Sequence, residues 1–329
     1  MAKRQSKNQN SKQSIQFSFG EPEPVNSLDV SEILGVFYDD TSKYYNPPIL
    51  LKGLDKMGRA NAIHRRCINF KVNQMSICFK NGPVSIRDFR RLALDHQVFG
   101  NFYIENIFNR AGQIVRGQHL PAINMRKTKK LGFKMLRGSK PDIDWQPFEV
   151  LHGLEYDTAQ SIYGVPGWIG AFHDVLLNSE ATRFRRRYYL NGSHMGYILY
   201  TTASSLDKEV EEEIKKAVQG GKGVGNFRSM YFNDPGGNEK GIQIIPVGDI
   251  SQKDEFEKIK NISANDIIIS HGINPQLAGM KPDNVGGFGD IEKAGTWYRK
   301  NEVQAAVQPF LELNEFLPAK LHFEFDFDK

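Results

Sequence analysis

From about Pro166 to Leu190 the sequence keeps an unbroken helical period. Phe172, Val175 and Leu176 fall on one face, and Phe184 and Tyr188 extend it. Glu180, Arg183 and Arg187 fall on a neighbouring face at i, i+3, i+7 spacing. At about 1.5 Å per residue, some 23 residues make a rod of roughly 35 Å, as long as a small domain is wide. Gly164 to Gly170 supplies turn chemistry before it, with Pro166 read as an early helix residue, and Asn191-Gly192 stops it. A second long helix is expected over Asp254–Ile269, with Phe256, Ile259 and Ile262 on one face and a break at Gly272 to Pro275. Any fold for this chain must accommodate two such rods.

The segment between them reads as a compact β-α-β unit. Tyr197–Thr202 has strand composition, and Ser204 with Asp207 resembles a capping box. Leu206, Val210, Ile214 and Val218 recur at four-residue spacing, which predicts an amphipathic helix whose outer face carries Glu209, Glu211, Glu212, Glu213, Lys215 and Lys216. Gly220-Gly221 ends it, and Phe227–Phe232 and Gly241–Val247 read as strands on either side of an Asn-Asp-Pro-Gly-Gly turn.

Elsewhere the signals are mixed. Residues 1–15 are polar and rich in Gln, Asn, Ser and Lys, which predicts a flexible basic arm. Val30–Phe37 and Gly53–Ile63 read as short helices around Pro47-Pro48, and Ser85–Phe99 as an amphipathic helix. Asn101–Arg116 reads as a hairpin, and strands continue to Leu151. Ile291–Val307 reads as a helix kinked or restarted at Pro309. Leu321–Asp328 alternates strictly, as a strand with one apolar face does. The expected fold class is α+β.

With 329 residues, 40% of them hydrophobic and 25% charged, the chain is long enough for roughly two domains or one elaborate one. No stretch reaches the ~20 apolar residues of a membrane span. Met1–Lys12 lacks an apolar core, so a secretory signal is not expected and a reducing, cytoplasmic birthplace is. Cys67 and Cys78 fit neither a zinc pattern nor a redox CxxC and read as plain thiols. The net charge of +5 is too mild to demonstrate nucleic-acid binding, although basic residues cluster in Met1–Lys12, Arg126–Lys140 and Arg183–Arg187.

Enzymatic motifs are missing. In Gly220-Gly221-Lys222-Gly223-Val224-Gly225 the lysine is followed by glycine, where a phosphate loop needs a hydroxyl for Mg²⁺. Gly286-Gly287-Phe288-Gly289 reads as backbone freedom rather than phosphate binding. The eight histidines show neither HExxH nor HxH, and His271 reads as a helix-end residue whose cationic form would suit the dipole. Ser193 and Ser270 lack a nucleophile elbow, and Asp142 and Asp144 form an ordinary surface pair. No catalytic residue, metal or cofactor is expected.

Several segments, in order along nearly the whole chain, resemble the portal proteins of tailed phages, in particular the P2-like, PBSX-type branch. They are Phe19-Gly20-Glu21-Pro22-Glu23-Pro24-Val25, Val98-Phe99-Gly100-Asn101, Ile162-Tyr163-Gly164-Val165-Pro166, the run from Ala181 to Gly192, Ile244-Ile245-Pro246-Val247 and, most specific, the run from Lys281 to Lys293. The resemblance implies a portal fold: a wing over 16–165, a two-helix stem at 166–192 and 251–273, a small β-α-β clip at 193–250, and a channel loop and helix with the wing return at 274–316. Residues 317–329 form the C-terminal strand, which leaves room for a small crown or none.

The function so implied is a ring, usually of twelve subunits, at one capsid vertex, through which double-stranded DNA is packaged and ejected. Its partners would be further copies of itself, DNA held without sequence preference, the major capsid protein, the terminase large subunit, a neck or head-completion protein and a scaffold. Its place would be the virion, after assembly in the bacterial cytoplasm. Lys281, Lys293, Arg299 and Lys300 are candidates for the channel wall. Glu180, Arg183, Arg185, Arg186 and Arg187 are candidates for contacts between neighbouring stems, with solvated surface and DNA as the competing readings. Glu209, Glu212, Glu213 and Lys216 are candidates for docking on the clip. Trp297 and Tyr298 read as packing anchors. A tail or baseplate ring without a DNA conduit, and a packaging enzyme, are the other function classes carried forward.

Overall fold

The computed structural model describes residues 36–190, 197–201, 230–233, 242–246, 252–275, 277 and 291–328, with side chains described for 36–186, 257–275, 277 and 291–328. The chain divides into two compact units, one holding Glu180–Ile259 and the other Asn26–Ser179 with Lys260–Lys329. Both divisions fall inside a long helix. Among the described residues no helix is long and apolar enough to cross a membrane.

The larger unit opens with a two-stranded ribbon, β1 (Tyr38–Asp39) and β2 (Tyr44–Tyr45). Two helices follow, α1 (Leu51–Ala60) and α2 (Ala62–Cys78). The single helix expected over Gly53–Ile63 is therefore broken. Asn61 leaves helical geometry, at φ −119° and ψ 125°, and its Oδ1 accepts from the N–H groups of Ile63 and His64 at 2.9 and 3.0 Å. That is an N-cap, and it starts a new helix. The sequence reading lacks α2 altogether. Its buried positions, His64, Cys67, Ile68, Val72, Met75 and Cys78, mix polar with apolar types and blur the period. The helix expected at Val30–Phe37 falls mostly outside the described residues, and Phe37 itself is exposed, irregular backbone before β1. Cys67 and Cys78 are buried thiols with no disulfide.

Strand β3 (Phe79–Asn81) leads to α3 (Ile86–Phe99), close to the expected span. The Ser85 hydroxyl caps α3 by accepting from the Asp88 N–H at 3.2 Å, and Gly100 ends it in the left-handed region at φ 67°. The expected hairpin is β4 (Asn101–Phe108) and β5 (Ile114–Leu120). Asn109 Oδ1 accepts from the N–H groups of Ala111 and Gln113 and so shapes the turn. A small antiparallel meander, β6 (Met125–Lys127), β7 (Phe133–Met135) and β8 (Ile143–Trp145), precedes β9 (Val150–Leu154). Strand β9 returns to β4, giving the order β5-β4-β9.

Two of the segments that carry the resemblance meet in space. Asn101 Nδ2 donates to Gly164 O at 2.8 Å, and the Gly164 N–H donates to Asn101 Oδ1 at 2.7 Å. A Cβ on Gly164 would collide with Gly100 O, and one on Gly100 would lie 2.5 Å from Val165 C. Only glycines allow this backbone contact.

Helix α4 (Phe172–Leu190) begins later than Pro166. The Ile169 N–H donates to Pro166 O at 2.9 Å, and a 3₁₀ turn, Ile169–Ala171, follows. Gly167 before the turn and Gly170 inside it disfavour a regular helix there. In the smaller unit, β10 (Tyr197–Thr201), β11 (Met230–Asn233) and β12 (Ile242–Pro246) form a sheet in the order β11-β10-β12. Strands β10 and β11 are parallel, an arrangement that requires a crossover, while β12 is antiparallel to β10. The helix expected from Ser204 to Val218 lies outside the described residues.

Helix α5 (Gln252–Ser270) matches the second expected rod, but its face does not. Ile262 is 62% exposed and Ile259 partly so, whereas Ser263, Ala264, Ile267 and Ile268 are buried. The buried face includes a serine because that serine has a polar partner on α4. Helix α6 (Ile291–Tyr298) then runs into a π-helical turn at Arg299–Val303, a single α turn at Gln304–Ala306, and a break at Val307. Helix α7 (Gln308–Glu312) restarts with Pro309 in its first turn, as expected. The expected C-terminal strand shrinks to β13 (Glu324–Phe325), paired with β3 through a bulge, because Ala319–Leu321 is a 3₁₀ turn. Its alternation survives in burial: Phe323 is buried and Glu324 exposed.

The core of this unit joins chain segments that are far apart in sequence. Phe102 stacks on Phe310 at 4.0 Å, Phe79 stacks on Phe89 at 4.3 Å, and Phe323 lies 5.6 Å from Phe310. Each buried phenylalanine contributes about 3 kcal/mol or more, so the C-terminal segment is integral to the unit.

Candidate functional site

Three helices of the larger unit meet at buried amides. Asn61 Nδ2 donates to Asn178 Oδ1 at 2.9 Å, and Asn178 Nδ2 donates to Lys260 O and to Ser263 Oγ, each at 2.9 Å. The cap of α2 is thereby bonded to α4, and α4 to α5. Asn178 and Ser263 are almost wholly shielded from solvent, so a bond broken there is not replaced by one to bulk water. This pairing holds the two long helices together where they leave the unit.

Beside it lies a histidine pair. His64 Nδ1 and His271 Nε2 are 2.9 Å apart, and Trp168 packs edge-on to His64 at 4.3 Å. Burial lowers the pKa of His64 to about 4, and burial with His64 alongside lowers that of His271 further. The expected cationic helix-end His271 is therefore a neutral, buried ring. Desolvation at the site outweighs the attraction of the helix terminus. His64 Nε2 and His271 Nδ1 are buried without partners, so whichever ring donates, one N–H is unanswered.

A polar cavity of about 190 Å³ is lined by Lys71, His96, Glu155, Trp168 and Glu302 among others. His96 Nε2 lies 3.2 Å from Glu155 Oε2, and this histidine holds the Glu155 carboxyl below its ordinary pKa. Burial lowers the pKa of the Lys71 ammonium, with Glu302 and Glu155 opposing. Glu302 sits on the π-helical turn and reaches Gly272, where a Cβ would strike its carboxylate.

The expected channel residues do not behave alike. Lys281 lies outside the described residues. Lys293 is exposed. Lys300 is exposed and pairs with Asp328 at 2.7 Å. Arg299 is half-buried, its Nε without a partner and its Nη2 3.4 Å from Thr296 Oγ1. Lys293, Trp297 and Lys300 lie at i, i+4, i+7 and are all exposed, while Tyr298 is buried against Phe70 at 5.2 Å. Of the two aromatic residues expected to anchor packing, Tyr298 does and Trp297, 58% exposed, does not.

On α4, Glu180, Arg183, Arg185 and Arg186 are exposed. Glu180 and Arg183 answer each other within the helix at 2.6 Å, a surface pair of small energetic weight. The Arg187 side chain, and Glu209, Glu212, Glu213 and Lys216, lie outside the described residues. Sequence reasoning misses the Asn61–Asn178–Ser263 and His64–His271 contacts. The available signal is a polar residue, Asn178, sitting three places after Val175 on the apolar face of α4.

The family described as phage portal protein matches residues 83–329. The chain is 37% identical over 314 residues to the probable portal protein of Escherichia phage P2, covering 92% of this chain and 88% of that one. Among solved structures, a chain from the neck of a native gene transfer agent particle, computed with C12 symmetry, aligns with a TM-score of 0.60 at 16% identity over 91% of this chain and 88% of that one. The crystal structure of an HK97-family phage portal protein from Corynebacterium diphtheriae aligns with a TM-score of 0.60 at 12% identity over 83% and 94%. At these identities the structural likeness establishes the fold.

Proposed function

The chain belongs to the phage portal protein family, and from that premise we propose that its copies close into a ring, of twelve subunits, through which double-stranded DNA enters and leaves a capsid. The ring occupies one vertex of the virion, after assembly in the host cytoplasm. It is held by the major capsid protein and a scaffold and presents its 193–250 insert to the terminase large subunit and later to a neck protein. In this reading α4 and α5 are the stem, the larger unit is the wing with its return, and the exposed row of Lys293, Trp297 and Lys300 faces the lumen. The chain works by shape and performs no bond-making step.

The observation that carries the reading is the apolar surface left open on the paired helices. Leu177, Ile262 and Ile269 are 50%, 62% and 67% exposed within one chain. A closed ring needs a head-to-tail interface in which each copy covers a different face of the next. Open isoleucines on α5, with Arg185 and Arg186 outward on α4, are what such an interface uses. The twelvefold symmetry of the gene transfer agent neck supports the subunit number. Weak, repeated cationic contacts suit a conduit, because each firm phosphate contact adds about one unit to the salt slope of binding and would grip the DNA. Electron microscopy of the purified full chain tests the reading: rings with a hole wide enough for a duplex are expected, and tubes or stacked discs without such a hole would favour a tail component.

A further inference from the structure

A second group of exposed cations lines a groove of about 510 Å³ between α2 and α3. Helix α2 contributes Arg66, Asn69 and Asn73, and α3 contributes Arg87, Arg90 and Arg91, over an apolar floor of Val72 and Leu94. No acidic residue lines it. Arg91 is paired with Asp88 at 2.9 Å. Arg90 Nη2 donates to Asn73 Oδ1 at 3.0 Å, which bridges the two helices and fixes one guanidinium at the groove. Arg66 and Arg87 are exposed and have no ion pair with a described residue. Three guanidinium groups thus share a depression without a counter-charge.

We infer that this groove, built from residues other than the Lys293, Trp297 and Lys300 row, is a second anion site of the chain, which takes the phosphodiester backbone of duplex DNA without sequence preference. Three features favour a phosphate ligand over a carboxylate-bearing protein segment. Every cation lining the groove is arginine, whose planar fork matches two phosphate oxygens at once. The amides of Asn69 and Asn73 add neutral donors of the kind that commonly meet phosphate oxygens. The groove is open rather than enclosed, whereas a bound peptide gains most of its affinity from deep side-chain pockets. Repeated once per copy, the site would form a basic belt, and a polyanion with a charge about every 1.7 Å can engage many such sites together.

The test uses full-length protein and covalently closed circular duplex DNA. A closed circle cannot thread a closed ring, so this site and the lumen are read separately. Wild-type protein should bind the circle with a salt slope that falls, in Arg66→Ala with Arg87→Ala, by about two units for each copy engaged, and with affinity about tenfold or more weaker at low salt. Arg66→Lys with Arg87→Lys should restore the salt slope but only part of the affinity, since lysine keeps the charge and lacks the fork. Both pairs are exposed, so circular dichroism and ring assembly should match wild type. Circle binding that is absent in wild type, or unchanged in the alanine pair, would overturn the inference. So would a poly-glutamate peptide that binds with an Arg66/Arg87 dependence the circle lacks, which would assign the groove to an acidic protein segment.

Discussion

Asn178 Oδ1 accepts from Asn61 Nδ2 at 2.9 Å, in a place shielded from water where α4 would otherwise present an apolar side chain to α2. One amide thereby determines how α4 sits against both α2 and α5. Replacing Asn178 with Ala removes three hydrogen bonds at once and leaves the longer contacts of Asn61 Nδ2 with Val175 O at 3.4 Å and of Ser263 Oγ with Lys260 O at 3.3 Å. We expect a loss of about 2–3 kcal/mol, read as a lower urea midpoint with an unchanged slope. An unchanged midpoint would mean that these longer contacts suffice and that Asn178 does not tie the helices together.

The buried histidines make stability depend on pH. His64 and His271 have folded pKa values below the ordinary 6.5, so the unfolded chain binds protons that the folded chain refuses. Their contribution is intact above about pH 6.5 and is lost as pH falls through about 4 for His64 and toward about 2 for His271. The limit is about 1.4 kcal/mol per pH unit for each ring. His152, lowered by burial to about 3, acts with the same sign. Urea titrations at pH 7, 6 and 5 should show progressively lower stability, and a flat profile would contradict buried neutral rings.

Ile262→Asp with Ile269→Asp places charges on the open face of α5. The isolated chain should keep its stability within about 0.5 kcal/mol, since neither side chain is buried within it. Ring formation should be lost in sedimentation velocity. Rings that persist would move the subunit interface elsewhere.

Gly272 ends α5 at φ 64°, close to the Glu302 carboxylate. Gly272→Ala should cost at least about 1 kcal/mol from the backbone alone, and more if Glu302 cannot move aside. Thermal unfolding of the variant beside wild type measures it.

Phe310→Ala removes the ring stacked on Phe102 and packed near Phe89 and Phe323. A cost of about 3–5 kcal/mol is expected by denaturant unfolding. A cost below about 1 kcal/mol would mean that the C-terminal segment is only loosely attached.

What could be read from sequence was local. The span of α3, the hairpin of β4 and β5, the end of α4 at Leu190 and the three strands of the insert are signalled by period, caps and turns within a few residues. Helix α2 escaped because Asn61 and His64 are satisfied by Asn178 and His271, more than a hundred residues away. A short window treats such residues as surface. The face of α5 was misread for the complementary reason: Ile259 and Ile262 are apolar, but nothing local shows that the chain itself leaves Ile262 uncovered. Lys300 gave no sign of Asp328, and the arginine groove is split between two helices, with Arg66 on one and Arg87 on the other. The resemblance located the chain's family where its own periodicity did not.

The π-helical turn at Arg299–Val303 holds one residue more than the surrounding helix needs. Removing a single residue inside it would tighten the coil to ordinary winding and leave Lys293 outward and Phe310 inward, their bearings unchanged. The same deletion in α3 or α4 would swing everything downstream by about 100°. A shortening by one residue should therefore cost least in this stretch and more in the regular rods.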